Sequence, residues 1–238
     1  MRHDPAKTER ILAVSRELVL SRGVRNVSVS DIAARAHIGR GTLYLYWKTK
    51  EDLFIELVAR DYVTATDEYI DALAEDPGIV GPHRMLPAMV ESGLRHAFVR
   101  AVQTADLDTL GLLGQHEKTR ALLGVLGPGR MSAALLPIWR RHGFARTDWT
   151  VAEQEYVIRA VNAGFYSLAV NTDAVLHPDG FDTGAVFASS VHAVLDAPGV
   201  TPAVESAAAE ARELLIGHRN AVVESLSLAH HASRSLER

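Results

Sequence analysis

With 238 residues, 47% of them hydrophobic, and a formal net charge of −4, the chain can bury a sizeable core and is not a disordered polyelectrolyte. The absence of cysteine excludes a disulfide framework, a thiolate metal site and a cysteine nucleophile. No stretch approaches the roughly 18 uninterrupted apolar residues of a membrane span, and no charged-then-apolar leader pattern opens the chain, so no membrane partner and a cytoplasmic location are expected.

Asp4 and Pro5 open the first expected helix, which carries Ile11, Val14 and Leu18 and stops at Gly23. Ser28, with Asp31 three residues on, is an N-cap signature with Asp in place of the commoner Glu. Val29, Ile32, Ala33 and Ala36 then recur at helical spacing, and the two alanines are small enough for another helix to cross closely. The turn falls at His37, a position that needs a left-handed backbone, and Gly39 caps a second short helix from Arg40 to about Trp47. On that helix Leu43 and Trp47 share one face while Arg40 and Tyr44 form an adjacent row, which separates a core face from an outward one. Gly41 costs about 1 kcal/mol of helix propensity relative to Ala, a loss that makes sense where the backbone must approach another surface closely. Two short helices joined by a tight turn are the arrangement that sets a helix N-terminus into a DNA major groove.

Thr49 caps the next helix, with Glu51 and Asp52 in its first turn, and Leu53, Leu57, Ala59 and Tyr62 continue the pattern until Asp76-Pro77-Gly78. Further helices are expected at about 85–104, 107–125, 130–142, 150–171, 183–196 and 202–234, the last carrying Val204, Ala208, Ala211, Leu215, Val222 and Leu226 and so expected to pack rather than dangle. Gly127-Pro128-Gly129, Gly143, His177-Pro178-Asp179-Gly180 and Pro198-Gly199 separate them. No strand pattern competes, so the fold class is all-α. Charge divides unevenly: residues 1–50 carry ten Lys+Arg against four Asp+Glu, the remainder fifteen against twenty-five. The basic end is the end with the paired short helices, where phosphates would lie.

The run Thr42-Leu43-Tyr44-Leu45-Tyr46-Trp47, followed by Lys48, Lys50, Glu51 and Asp52, resembles the signature of the TetR-like (tetracycline-repressor) family of one-component bacterial regulators. The resemblance covers about the first fifth of the chain. Two positions depart from the family pattern: His37 stands at the usual turn Gly, and Gly39 at the usual Ser of the recognition-helix start. It implies a three-helix helix-turn-helix DNA-binding domain over residues 1–50 and a larger helical effector-binding and dimerisation domain over 51–238. By the same resemblance Ser30, Arg40, Gly41, Thr42 and Tyr44 sit where the family meets bases, and Ser28, Tyr46, Lys48 and Lys50 where it meets the duplex backbone. Leu45 is added to the base-facing set as an apolar contact for a thymine methyl.

For the second domain the resemblance implies a mostly apolar effector cavity, with His96, Leu112, His116, Trp139, Phe165 and Tyr166 as candidate lining. It also implies a homodimer formed by two helices of each copy, for which Ala160, Ala163, Gly164 and Ser167 on one and Val186, Ser190 and Ala193 on the other supply small-residue stripes. No phosphate loop ending in Gly-Lys-Ser/Thr, no His-Glu-x-x-His and no Gly-x-Ser-x-Gly elbow is present. No metal, no cofactor and no catalytic residue are therefore expected. The expected function is a transcriptional regulator, a repressor released from a palindromic double-stranded operator by a small, mostly apolar effector. The alternatives are a helical enzyme or lipid-binding module carrying a DNA-like helical hairpin, and a regulator controlled by a protein partner instead of a small ligand.

Overall fold

The computed structural model describes residues 4–110, 129–170, 180, 182–197 and 199–232. Among them every regular element is helical. The first, α1 (Pro5–Arg22), starts where the Asp4 carboxylate accepts the Ala6 and Lys7 N–H groups. It ends at Gly23, whose φ of 74° is left-handed and where an added Cβ would lie only 2.3 Å from the Asp108 carbonyl oxygen. Glycine is required there on both counts. A single 3-10 turn, Val24–Asn26, leads to α2 (Val29–Arg35), α3 (Arg40–Tyr46) and α4 (Lys50–Glu75).

Local chemistry sets these boundaries. Ser28 and Asp31 form a reciprocal capping box, Asp31 N–H donating to Ser28 Oγ at 3.1 Å and Ser28 N–H to Asp31 Oδ2 at 2.8 Å. Thr49 and Asp52 repeat the device at the start of α4. Between α2 and α3, His37 has φ of 53°, the left-handed turn that the sequence requires. Ile11, Leu12, Leu18 and Val19 of α1 pack with Ile32, Ala36, Leu43 and Trp47 as one apolar centre behind α3.

Past α4 and the 3-10 turn Pro77–Val80 come α5 (Pro82–Arg95) and α6 (Ala97–Gln103). The single helix expected over 85–104 is thus two. The break at His96, whose ψ of 104° is extended, coincides with its ring nitrogen lying 2.9 Å from Glu68 of α4, a contact no local pattern announces. Then follow α7 (Leu107–Leu110), α8 (Arg130–Arg141), α9 (Val151–Val170), α10 (Thr183–Leu195) and α11 (Val204–Ala232). α11 packs along α4, burying Ala207, Ala211, Leu215 and Val222, so the last helix is part of the core as its periodicity predicts. No described helix is long and apolar enough to cross a membrane.

α4 is not the sole physical link between the short N-terminal helices and the rest. Asp61 of α4 pairs with Arg16 of α1 and accepts the Phe98 N–H of α6 at 3.0 Å, while the Arg16 guanidinium sits 5.3 Å from the Phe98 ring centre. One carboxylate therefore joins three helices.

Candidate nucleic-acid interface and effector cavity

α3 is held from behind. Leu43 is fully buried, and the Trp47 indole donates to Glu56 Oε2 at 2.6 Å. On the opposite side Arg40 and Gly41 are exposed, and Tyr44 and Leu45 are exposed at 50% and 52%. Two consecutive large side chains are thus bared to solvent on this seven-residue helix. Thr42 is half-buried beside them, Ser30 lies exposed on α2, and Lys48 is exposed just beyond α3. A Cβ built on Gly41 meets nothing within 4 Å, so no internal packing demands glycine at that position.

Three residues expected at the duplex backbone have internal roles. Tyr46 is only 8% exposed, with its hydroxyl accepting the Asp4 N–H at 3.3 Å, which ties the start of α1 to the end of α3. Lys50 Nζ donates to the Val24 and Val27 carbonyls at 3.2 and 3.1 Å and lies 5.7 Å from the Phe54 ring centre. Ser28 belongs to the α2 capping box. The reason is the extended conformation of Trp47, φ −129° and ψ 127°, which ends α3 and redirects the chain so that Lys50 starts α4 against the 24–27 loop. Lys48, the remaining residue of the four, is exposed just beyond the end of α3.

In the larger part of the molecule a cavity of about 50 Å³ opens between α4, α5, α6, α8 and α9. Tyr62, Thr66 and Tyr69 line one wall at helical spacing, facing Met89 and Val90 of α5 and Asn162 and Tyr166 of α9. Tyr69 and Tyr166 both donate to the Met89 carbonyl, at 3.1 and 3.3 Å. Tyr62 Oη and Asn162 Oδ1 are buried without a hydrogen bond of normal geometry among the described residues. Burial pushes the Tyr62 phenol up to about 12.

Of the lining residues expected from sequence, Tyr166 is in place. Trp139 is instead fully buried core, its indole donating to the Val80 carbonyl at 2.7 Å. Phe165 stacks on Phe187 with ring centres 4.0 Å apart, joining α9 to α10, and His96 is engaged by Glu68 away from the cavity. Leu112 and His116 lie outside the described residues. The tyrosine row on α4 could have been found by its spacing, whereas Asn162 gives no such signal. Ala160, Ala163, Gly164 and Ser167 form an exposed stripe on α9, and Val186 and Ala193 are exposed on α10 with Ser190 half-buried between them.

The fold and its exposed α3 define an all-helical protein with an N-terminal helix-turn-helix. Comparison places the likeness in that module: residues 11–57 match the sequence profile of "Bacterial regulatory proteins, tetR family", so the N-terminal module is similar to that of this family. It is 36% identical over 70 residues to the HTH-type transcriptional regulator SAB2452 of Staphylococcus aureus, 32% over 76 residues to the fatty acid metabolism regulator protein of Bacillus subtilis, and 37% over 67 residues to the HTH-type transcriptional regulator EthR of Mycobacterium tuberculosis. These matches cover 29%, 32% and 28% of this chain and 38%, 37% and 31% of the relatives, so the alignments span little more than a third of the relatives' length. Among solved structures, the fatty acid degradation regulator FadR of Bacillus halodurans shares the fold, with a TM-score of 0.51 at 18% identity over 81% of this chain and 95% of that one.

Proposed function

We propose that this protein is a cytoplasmic, homodimeric, non-enzymatic transcriptional regulator that grips a palindromic operator through α3 and lets go when a small, mostly apolar effector enters the cavity. Residues 1–50 read DNA and residues 51–238 sense and dimerise in this account. The observation that carries it is the outward face of α3, where Arg40, Gly41, Tyr44 and Leu45 are bared while Leu43 and Trp47 anchor the opposite side. Arginine can read guanine in the major groove, Leu45 can lie on a thymine methyl, and Gly41 admits close approach. The bared small-residue stripes of α9 and α10 support pairing of two copies, which sets the two recognition helices on successive major grooves.

The cavity suits a ligand with an apolar body and a polar end, since Val90, Val99 and Met131 line it along with the Tyr62 hydroxyl and Asn162 carbonyl, both unpaired among the described residues. Fatty-acid regulation in the names of two compared proteins agrees with such a ligand. At about 50 Å³ the cavity must widen to hold it, and the wall that moves includes α4 and α6, which Asp61 ties to α1. An effector that favours the widened state weakens DNA binding by its differential affinity for the two states. Titration of labelled DNA from beside the gene, with and without a ligand found by release screening, tests this. The ligand should lower DNA affinity and DNA should lower ligand affinity by the same factor; equal ligand affinities in the two titrations contradict the coupling.

A further inference from the structure

Away from both the α3 face and the cavity, three metal-ligating side chains converge where α5 begins and α10 ends. His83 lies in the first turn of α5, and His192 and Asp196 stand one turn apart at the C-terminal end of α10. Each offers one donor atom, and the three atoms all lie within 4.8 Å of one another. Asp196 Oδ2 is 3.3 Å from His83 Nδ1 and 2.5 Å from His192 Nδ1, and the two imidazoles meet edge to face with centres 5.6 Å apart.

We infer that His83, His192 and Asp196 bind a divalent transition-metal ion of the zinc class, which clamps α5 to α10. Ligands about 2.0–2.1 Å from a tetrahedral zinc ion stand roughly 3.3 Å from one another, the separation already present between His83 and Asp196. Two imidazoles and one carboxylate are a mixed nitrogen and oxygen set, which selects zinc and its neighbours over magnesium or calcium and leaves a fourth position for water. The C-terminal end of α10 adds partial negative charge on the same side as the Asp196 carboxylate.

Hydrogen bonding within the cluster leaves work for an ion. The i,i+4 contact of His192 with Asp196 uses one carboxylate oxygen, while Asp196 Oδ1 and His83 Nδ1 are buried without a hydrogen bond of normal geometry among the described residues. An ion seated between them satisfies that ring nitrogen. Entry needs the His192 ring to swing outward, and its side chain is 67% exposed. Sequence spacing could not show this site, because His83 and His192 come from helices far apart in the chain and only His192 and Asp196 share a helical repeat. α5 also carries Met89 and Val90 of the cavity wall, and α10 carries Val186 and Ala193, so the clamp joins two elements that the proposed function uses.

The test is zinc titration of the tag-free full chain by calorimetry and thermal melting, with cobalt(II) absorption as a report of coordination. One equivalent of zinc should bind and raise the melting temperature, magnesium should do neither, and cobalt should give visible bands of a tetrahedral site. His192→Ala, at an exposed side chain that leaves the fold intact by circular dichroism, and His83→Gln should each weaken zinc binding by about tenfold or more and abolish the cobalt bands. No binding by the unmodified chain, binding unchanged in both variants, or loss confined to one of them overturns the three-ligand site.

Discussion

Replacing Gly41 with alanine separates what the protein needs from what its DNA contact needs. The added Cβ meets nothing within 4 Å, so the folded chain accommodates it without strain, and the position lies inside α3. Alanine reduces the freedom of the unfolded chain and favours helix, a gain of about 0.5–1 kcal/mol. For a chain of this size that corresponds to a rise of roughly 1–4 °C in melting temperature. The same methyl group points out of the face proposed to meet DNA, and blocking close approach there should weaken operator binding by about tenfold or more, near 1.4 kcal/mol. Gly217 in α11 is the control, because a Cβ there also meets open space but lies on a different element. Melting followed by circular dichroism and fluorescence anisotropy with labelled operator read the two effects. Gly41→Ala should raise stability and lower affinity, while Gly217→Ala should only raise stability. If Gly41→Ala gains stability and binds DNA as tightly as the unmodified protein, the placement of α3 against the duplex is wrong.

Lys50→Met removes the ammonium that bridges the Val24 and Val27 carbonyls and should cost about 1 kcal/mol, because water partly replaces it at a half-exposed site. Its salt slope for DNA binding should stay at the unmodified value; unchanged stability with a slope lowered by about one would instead make Lys50 a phosphate contact. Asp31 is held below the ordinary 3.8 by hydrogen bonds from the Ser28 side chain and then its backbone. A depressed carboxylate contributes stability that is present above the unfolded value and lost as pH falls through the folded one, so the advantage of the unmodified chain over Asp31→Asn should fade on acidification below about pH 4, and a pH-independent difference in denaturation midpoint would remove the linkage. Gly164→Arg, on the bare side of α9 where a Cβ meets nothing within 4 Å, should leave the protomer folded and convert the dimer to monomer in sedimentation. A variant that still sediments as a dimer places the interface elsewhere.

What the sequence disclosed was local. Capping side chains, the left-handed turn at His37 and the span of α4 rest on interactions within a few residues, and each is visible as a residue type in a fixed register. The direction of a side chain after a bend is not. Tyr46 and Lys50 have the residue types of phosphate contacts, yet the extended backbone at Trp47 turns both inward, toward Asp4 and the 24–27 loop. Trp139 and His96 fail as cavity residues for a related reason. Their partners, Val80 and Glu68, are brought to them by helix packing over long separations, so an indole or imidazole on an apolar helix could not be assigned to core, surface or cavity from its own neighbours. On α4 the outcome is different, since Tyr62, Thr66 and Tyr69 recur at helical spacing and their shared wall could be read from the period.

The central claim is that α3 reads a defined sequence, and selection of bound fragments from random double-stranded DNA tests it most directly, run in parallel on the unmodified chain and on Arg40→Ala. The unmodified chain should enrich an inverted repeat whose half-sites lie about 34–36 Å apart or a multiple of that, and Arg40→Ala should bind it about 1–3 kcal/mol more weakly with preference relaxed at one position in each half-site. No enriched sequence, or an enriched sequence whose preferences are identical for both proteins, contradicts the assignment.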